Sequence, residues 1–486
     1  MKTIVLDALT ALSHRMVLTA WTGIATLLTV VFPLVYSFRN HDNTPIYLGL
    51  AVASLILFIA VAVLVAEIVR RRARVPTVQH PVDPSVPVAL FISGLATYAV
   101  LFLYFTIKND LFFRRIGFEG LVERSLAMPA YELIVHRSFM ENATTLLCVT
   151  IVILMAVRLS TGVRIYAIVV WLITFAIYSS FVVTNNRFQS AILYLGVCIA
   201  IGYAWSSRKW PKAYLLAAII AVVGFSAYSF RVTENMRDEI SIAGCINVTA
   251  LDPTETPMEI IRRASDNPLL CGDVITDIMA QVKAATKARV TGSSNGAADA
   301  NAERYAAAKK IVDEEARPWD HRLNSLGLVA DITRPAFSRG FGYGSFWIEP
   351  LSLYYYFFAD REKYREIKQS LRTNPKVYIS SRYLDTTIKD TPSSILTDAY
   401  ANFFLVGFVI AGVLMGGILG WTDGVLRSTT SAGAAVLAFF LMEKSLYAEK
   451  EMLTLIVDLL KFSPVPILSA VLLWRVRLDR DVTVSR

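Results

Sequence analysis

The residues best equipped for chemistry fall into three groups. Thr184–Asn185–Asn186–Arg187 places an arginine at a tight turn between two apolar runs. A guanidinium fork gives phosphate two parallel charge-assisted hydrogen bonds, so Arg187 can bind an anion. It can equally anchor the chain at a membrane interface. The second group is Asp320–His321–Arg322 followed by RPAFSRGFGYG, which holds Arg334, Arg339, Gly340, Gly342 and Gly344. Glycines allow a tight turn with exposed backbone N–H groups, which can nest an anion between the two arginines. His321 titrates near neutrality and suits a general base, though a loop histidine also serves as a structural hydrogen-bonding residue. The third group is Asp398, Tyr400 and Asn402 at the start of an apolar run. Asp398 and Asn402 are four apart and share a helical face, as catalytic or substrate-binding groups or as a helix cap. Arg114, Arg115 and Arg124 are further candidates for an anionic ligand. No nucleotide-binding P-loop occurs, and no histidine and cysteine spacing suggests a metal site; His41–Asp42 is the one weak candidate.

These groups need elements to position them, and the composition says which. Of 486 residues, 55% are hydrophobic and 18% charged, too few charges to solvate several soluble domains. A membrane span needs about 20 apolar residues. Ten runs qualify: Met16–Ser37, Ile46–Ala66, Pro87–Ile107, Ser138–Val157, Ile165–Thr184, Phe188–Ser206, Ala213–Phe230, Ile395–Trp421, Ser431–Ala448 and Leu453–Trp474. Glu443, Lys444, Asp458 and Lys461 in the last two read as structural ion pairs, and Pro464 and Pro466 should kink the last.

Basic clusters at Arg70–Arg74, Arg158 with Arg164, Arg208–Lys212 and Arg475–Arg480 all fall on one side if both termini are cytoplasmic. The expected organisation is therefore a membrane part over 1–230, a large outer loop of mainly helical structure over 231–392, and a second membrane part over 393–486. That loop carries 22 basic and 22 acidic residues. The net charge of +9 therefore lies elsewhere and reads as a topology signal, not a nucleic-acid one. Cys245 and Cys271 both lie in the outer loop, where an oxidising compartment would let them pair, a bridge worth about 3 kcal/mol. Two free thiols are the alternative. Cys148 and Cys198 lie in spans as packing residues.

Three stretches resemble the O-antigen polymerase (Wzy-type) family, related to the O-antigen ligases. They are TNNRFQSAILYLGV, HRLNSLGLVADITRPAFSRGFGYGSF and TPSSILTDAYANFFLVGFVIAGVLMGG. The order and sidedness of these stretches carry the likeness more than any one of them. The resemblance implies an all-α membrane glycosyltransferase of the GT-C kind, joining undecaprenyl-diphosphate-linked repeat units at the outer face of the bacterial inner membrane. It implies Arg187 and Arg322 on the diphosphate, with Arg334 and Arg339 beside them and Gly340 and Gly342 shaping the turn. The base stays open between His321 and Asp398. No cofactor and no metal are implied. The expected partners are the lipid-linked oligosaccharide, the bilayer, a chain-length regulator and a flippase. Ligases carry a histidine just before the span after the large loop; this chain has Ser393–Ser394 there. A ligase or other GT-C enzyme, and a transporter or flippase, remain competing expectations.

Overall fold

A computed structural model describes residues 15–26, 45–73, 77–111, 124, 128–185, 187–206, 224, 341–343, 363, 395–446 and 452–479. Among the described residues, ten helices follow in chain order: α1 (Met16–Thr26), α2 (Pro45–Arg72), α3 (Ser85–Lys108), α4 (Ala130–Ala156), α5 (Thr161–Asn185), α6 (Arg187–Ser206), α7 (Ile395–Ser428), α8 (Ala432–Leu446), α9 (Met452–Phe462) and α10 (Pro464–Leu473). Helices stand in nine of the ten expected spans. The seventh, Ala213–Phe230, lies outside the described residues except for Gly224. Among the described residues there is no named strand, only an isolated bridge between Ser431 and Arg477.

Five of the helices are long and apolar enough to cross a membrane. Their outer faces are apolar as well: Leu90 and Val100 on α3, Leu172 and Ile173 on α5, and Val406 and Val413 on α7 are exposed. A helix of a soluble protein turns such residues inward; a helix apolar all round belongs in lipid. The span in α4 is 78% buried, against 33% for those in α2 and α3, so α4 is the central helix of the bundle.

Without water between helices, association rests on close packing and on polar contacts. The close packing is clearest between α2 and α7, which run parallel. Gly412, Gly416, Gly420 and Gly424 recur every fourth residue on α7 and meet α2 at Phe58 and Val61, Ala62 and Val65, Ala66, and Arg70 and Ala73. A Cβ on Gly416 or Gly420 would run into the carbonyl oxygens of Ala62 and Ala66. Only hydrogen at these positions lets the two backbones touch.

The polar contacts join α8 to α4. Lys444 is fully buried and donates to Glu141 Oε2 at 2.8 Å, to the Glu141 carbonyl at 2.7 Å and to Glu443 Oε1 at 3.3 Å. Glu443 Oε2 accepts from the Thr145 hydroxyl at 2.5 Å and from the Thr145 N–H at 3.0 Å. The Glu141 carbonyl and the Thr145 N–H are the two ends of one helical rung, so the ion pair grips α4 by its backbone as well as by a side chain. Glu443 and Lys444 are thus in a structural ion cluster, as expected. Glu141, which lies inside the fourth span, is the partner the sequence reading did not name.

The last span is divided at Ser463, as its prolines require. Pro464 and Pro466 lack N–H groups, which would leave the carbonyls of Leu460 and Phe462 without helical donors. The Ser463 hydroxyl donates to the first at 3.1 Å, and Asn142 Nδ2 of α4 donates to the second at 3.2 Å.

At one end of the bundle the connections knit together. Val78 N–H donates to the Thr430 hydroxyl at 2.9 Å, Ala432 N–H to the Val476 carbonyl at 3.0 Å, and Asp479 N–H to the Ala156 carbonyl at 2.6 Å. Arg158 pairs with Asp479 at 2.7 Å, and Arg70 and Arg71 pair with Glu67 at 2.8 Å. In the adjoining loop, Asp83 accepts from the Ser85 N–H at 3.0 Å, which holds its carboxyl below the usual range. Three of the four basic clusters therefore share one face, called the basic face below. The fourth, Arg208–Lys212, lies outside the described residues.

Removing Lys444 tests the grip on α4. Lys444→Met leaves two carboxylates facing each other in a buried site, and breaking such a group by one partner costs about 3–5 kcal/mol. The expected result is loss of most folded protein in detergent extracts, measured by thermal midpoint and monodisperse fraction. Adding Glu443→Gln should restore part of it.

Candidate functional site

The face opposite the basic one carries the irregular backbone. The eighth expected span, Ile395–Trp421, is not one straight helix. Inside α7, Phe403 (φ −136°, ψ 15°) and Phe404 (φ 54°, ψ −138°) leave helical geometry. The first two turns, 395–402, bend back so far that a Cβ on Gly407 would overlap the Ala399 carbonyl. Residues eight apart in a straight helix stand about 12 Å apart. The cause lies in tertiary contacts, since Phe403–Phe404 contains neither proline nor glycine.

Those contacts come from 341–343 in the glycine-rich stretch. Gly342 N–H donates to the Ala401 carbonyl at 2.9 Å, and Tyr343 N–H donates to the Asn402 carbonyl at 2.8 Å. The Phe341 ring packs against both Tyr400 and Phe404, with centroids at 6.4 and 5.4 Å. Tyr400 in turn meets Phe404 and Phe408 at 5.3 and 5.5 Å. Tyr343 (φ 49°) and Phe404 (φ 54°) both occupy the left-handed region. A bulky residue held there costs about 1–3 kcal/mol, and such positions gather where structure is over-determined for a purpose.

The polar residues of the third group sit on the bent turns. Asp398, Tyr400 and Asn402 are all fully buried. Asn402 Nδ2 donates to Asp398 Oδ1 at 3.1 Å and to the Asp398 carbonyl at 2.9 Å, which confirms the shared face. Asp398 lies in the first turn of α7 and is enclosed, so a helix-start role and a site role both stay open to it. Of the second sequence group, 341–343 is thus brought onto the Asp398–Asn402 turns of the third.

The remaining candidates divide by placement. Arg187 opens α6, and its side chain lies outside the described residues. Gln189, two residues on, donates to the Met140 carbonyl at 2.6 Å and to the Tyr178 hydroxyl at 2.9 Å, which fixes that turn to α4 and α5. His321, Arg322, Arg334, Arg339, Gly340, Arg114, Arg115, Cys245 and Cys271 lie outside the described residues. Arg124 pairs with Asp110 at 2.8 Å. Cys148 and Cys198 are buried free thiols, as expected of packing residues. Among the described residues, no group of three metal-ligating side chains gathers.

Phe341 covers Tyr400 and Phe404 at the bend, and nothing in RGFGYG distinguishes it from Tyr343. Several buried polar residues also stand outside the three sequence groups. Glu132 at the top of α4 accepts from Lys108 at 2.5 Å, Asn109 at 3.0 Å and Tyr131 at 2.9 Å. His136 stacks on Phe102 and faces the Thr106 hydroxyl at 3.2 Å. Asp423, near the basic face, accepts from the Tyr203 hydroxyl and from the Val17 N–H at 3.4 Å. An acid at 141 or 423, inside or just beyond an apolar run, was the available signal.

The bundle, its lipid-facing surface and its broken helix define an all-α, multi-pass membrane protein. Compared with protein-family models, with curated proteins and with solved structures, the chain matches none.

The Asp398–Asn402 pair makes a direct prediction. Asn402→Ala removes donors from a buried acceptor and should cost about 1–3 kcal/mol. Asn402→Asp places a second carboxylate beside Asp398 and should lower the thermal midpoint further than Asn402→Ala does. Equal midpoints for both variants and the parent would contradict the pairing.

Proposed function

We propose that this protein polymerises lipid-diphosphate-linked oligosaccharide repeat units at the outer face of a bacterial inner membrane. The growing chain's anomeric carbon leaves its undecaprenyl diphosphate and bonds to a hydroxyl of the incoming lipid-linked unit. The observation that carries the reading is the docking of Phe341–Tyr343 on the Asp398–Asn402 turns. It joins the glycine-rich arginine stretch to a buried polar helix start on the face opposite the basic one. The charge bias of short loops supports taking the basic face as the cytoplasmic one; on that reading the junction is outside and both termini are inside.

The chemistry asks little of the protein beyond placement. Diphosphate leaves readily once its developing charge is met by arginines fixed in a low-dielectric site. Arg187 and Arg322 are assigned that role, with Arg334 and Arg339 flanking Gly340 and Gly342. The attacking hydroxyl gives its proton to His321 or to Asp398. Tyr400 and Asn402 shape the pocket for the acceptor. In the alternative within the same class, the chain is a ligase or another GT-C transferase that hands finished polymer to a final acceptor.

A reading from another class has its own support. Charges buried in a membrane bundle and discontinuous helices are common in transporters. The Glu141–Lys444–Glu443 group and the break in α7 are of that kind. Such a protein would move the lipid-linked sugar without joining it.

Purified protein in liposomes, supplied with undecaprenyl-diphosphate-linked repeat units, separates the readings. Polymerase activity gives a ladder of chain lengths and releases undecaprenyl diphosphate. Asp398→Asn or His321→Gln, whichever removes the base, should slow the ladder about 100-fold or more with insertion unchanged. Translocation of labelled lipid with no new glycosidic bond would decide for the transporter.

A further inference from the structure

The break in α7 leaves a specific set of backbone groups to satisfy. In an uninterrupted helix the Ala401 carbonyl accepts from Leu405 N–H, and the Asn402 carbonyl from Val406 N–H. Both rungs span residues 403 and 404, whose torsions are not helical, so neither rung can close. The two carbonyls instead accept from Gly342 and Tyr343. The outer segment thus stands in for two consecutive rungs, in order and in register.

We propose that 341–343 is a removable clip and that α7 is a two-state element. With the clip in place, the carbonyls of Ala401 and Asn402 are bonded from outside, Phe341 packs against Tyr400 and Phe404, and the helix stays bent. With the clip withdrawn, those carbonyls have ready donors in Leu405 and Val406, and 395–428 closes into one helix. Each state satisfies the same two carbonyls, which is the condition for a bistable element in a water-poor layer.

Two features mark the bent state as held in place by its contacts. Phe404 and Tyr343 both keep positive φ, and Phe404 would lose that strain on straightening. Gly407 touches the Ala399 carbonyl only because the chain doubles back there. A side chain at 407 is excluded from the bent form and free in the straight one. Closing the helix would carry Asp398 and Asn402 away from the Gly342 segment. On the functional reading above, and only on it, the outer loop would thereby switch the site.

Opposed substitutions test the clip without any activity assay. Gly342→Pro deletes the donor to Ala401; Gly407→Ala places a Cβ against the Ala399 carbonyl. Both should favour the straight helix. Amide hydrogen exchange, read by mass spectrometry on a peptide covering 403–408, should slow about three- to tenfold as Leu405 and Val406 gain rungs. Phe404→Gly relieves the positive φ of the bent form and should speed exchange in the same peptide. If Gly342→Pro does not insert, Gly407→Ala decides alone. Unchanged or faster exchange in Gly407→Ala overturns the two-state proposal and makes the bend a fixed feature. A polymerisation assay that failed while the exchange shifts held would sink the functional reading and leave the clip standing.

Discussion

In an apolar layer without water, every backbone N–H and C=O must find its partner within the protein, and a lone group costs several kcal/mol. The least regular parts of this bundle are answers to that constraint. Where prolines open α9 and α10, Ser463 and Asn142 bond the carbonyls of Leu460 and Phe462. Where α7 breaks, Gly342 and Tyr343 bond those of Ala401 and Asn402. The buried lysine of α8 takes the Glu141 carbonyl of α4 as one of its three acceptors. At both breaks among the described residues, carbonyls that lose their helical donors are bonded by others, three of the four from elsewhere in sequence.

The same constraint explains why the polar residues of interest gather at the break. A continuous helix hides its backbone and presents only side chains. A broken one exposes carbonyls that invite a second segment, and that segment arrives with its own glycines and neighbouring arginines. Asp398 and Asn402 are buried there because the bend folds their turns back against 405–408 and Phe341 closes over Tyr400. At the other face the backbone is tied by short connections and by ion pairs such as Arg158–Asp479, with no comparable opening among the described residues. The molecule therefore has a stitched end and an articulated end, joined by the tight glycine seam between α2 and α7.

Much of the bundle is legible in the sequence because the physics is local. Apolar runs mark the helices, Pro464 and Pro466 mark the divided last span, and arginine clusters mark the face that closes. The glycines of α7 announce close packing, although their partner α2 lies more than 300 residues away and no periodicity names it. The break at Phe403–Phe404 is not legible, since two phenylalanines are compatible with a helix and the bend depends on Gly342, Tyr343 and the space at Gly407. Glu141 is visible as a misplaced acid, but its pairing with Lys444 emerges only when α4 and α8 are packed. The shared face of Asp398 and Asn402 follows from spacing; their enclosure does not, because it needs Phe341, more than 50 residues away in sequence.

The docking of 341–343 at the broken helix is the contact on which the proposed site depends most. Paired cysteines at Phe341 and Phe404, whose rings stand 5.4 Å apart, test it in a chain with its four native cysteines replaced. A protease site between them converts a cross-link into two fragments that stay joined until reduced. Oxidation, or a short bifunctional thiol reagent, is expected to join Phe341→Cys to Phe404→Cys in the membrane-embedded protein and not to join Phe341→Cys to a cysteine at Ile467 on α10. Failure of the first pair to link, with both thiols shown to be reactive, would contradict the clip and with it the proposed site.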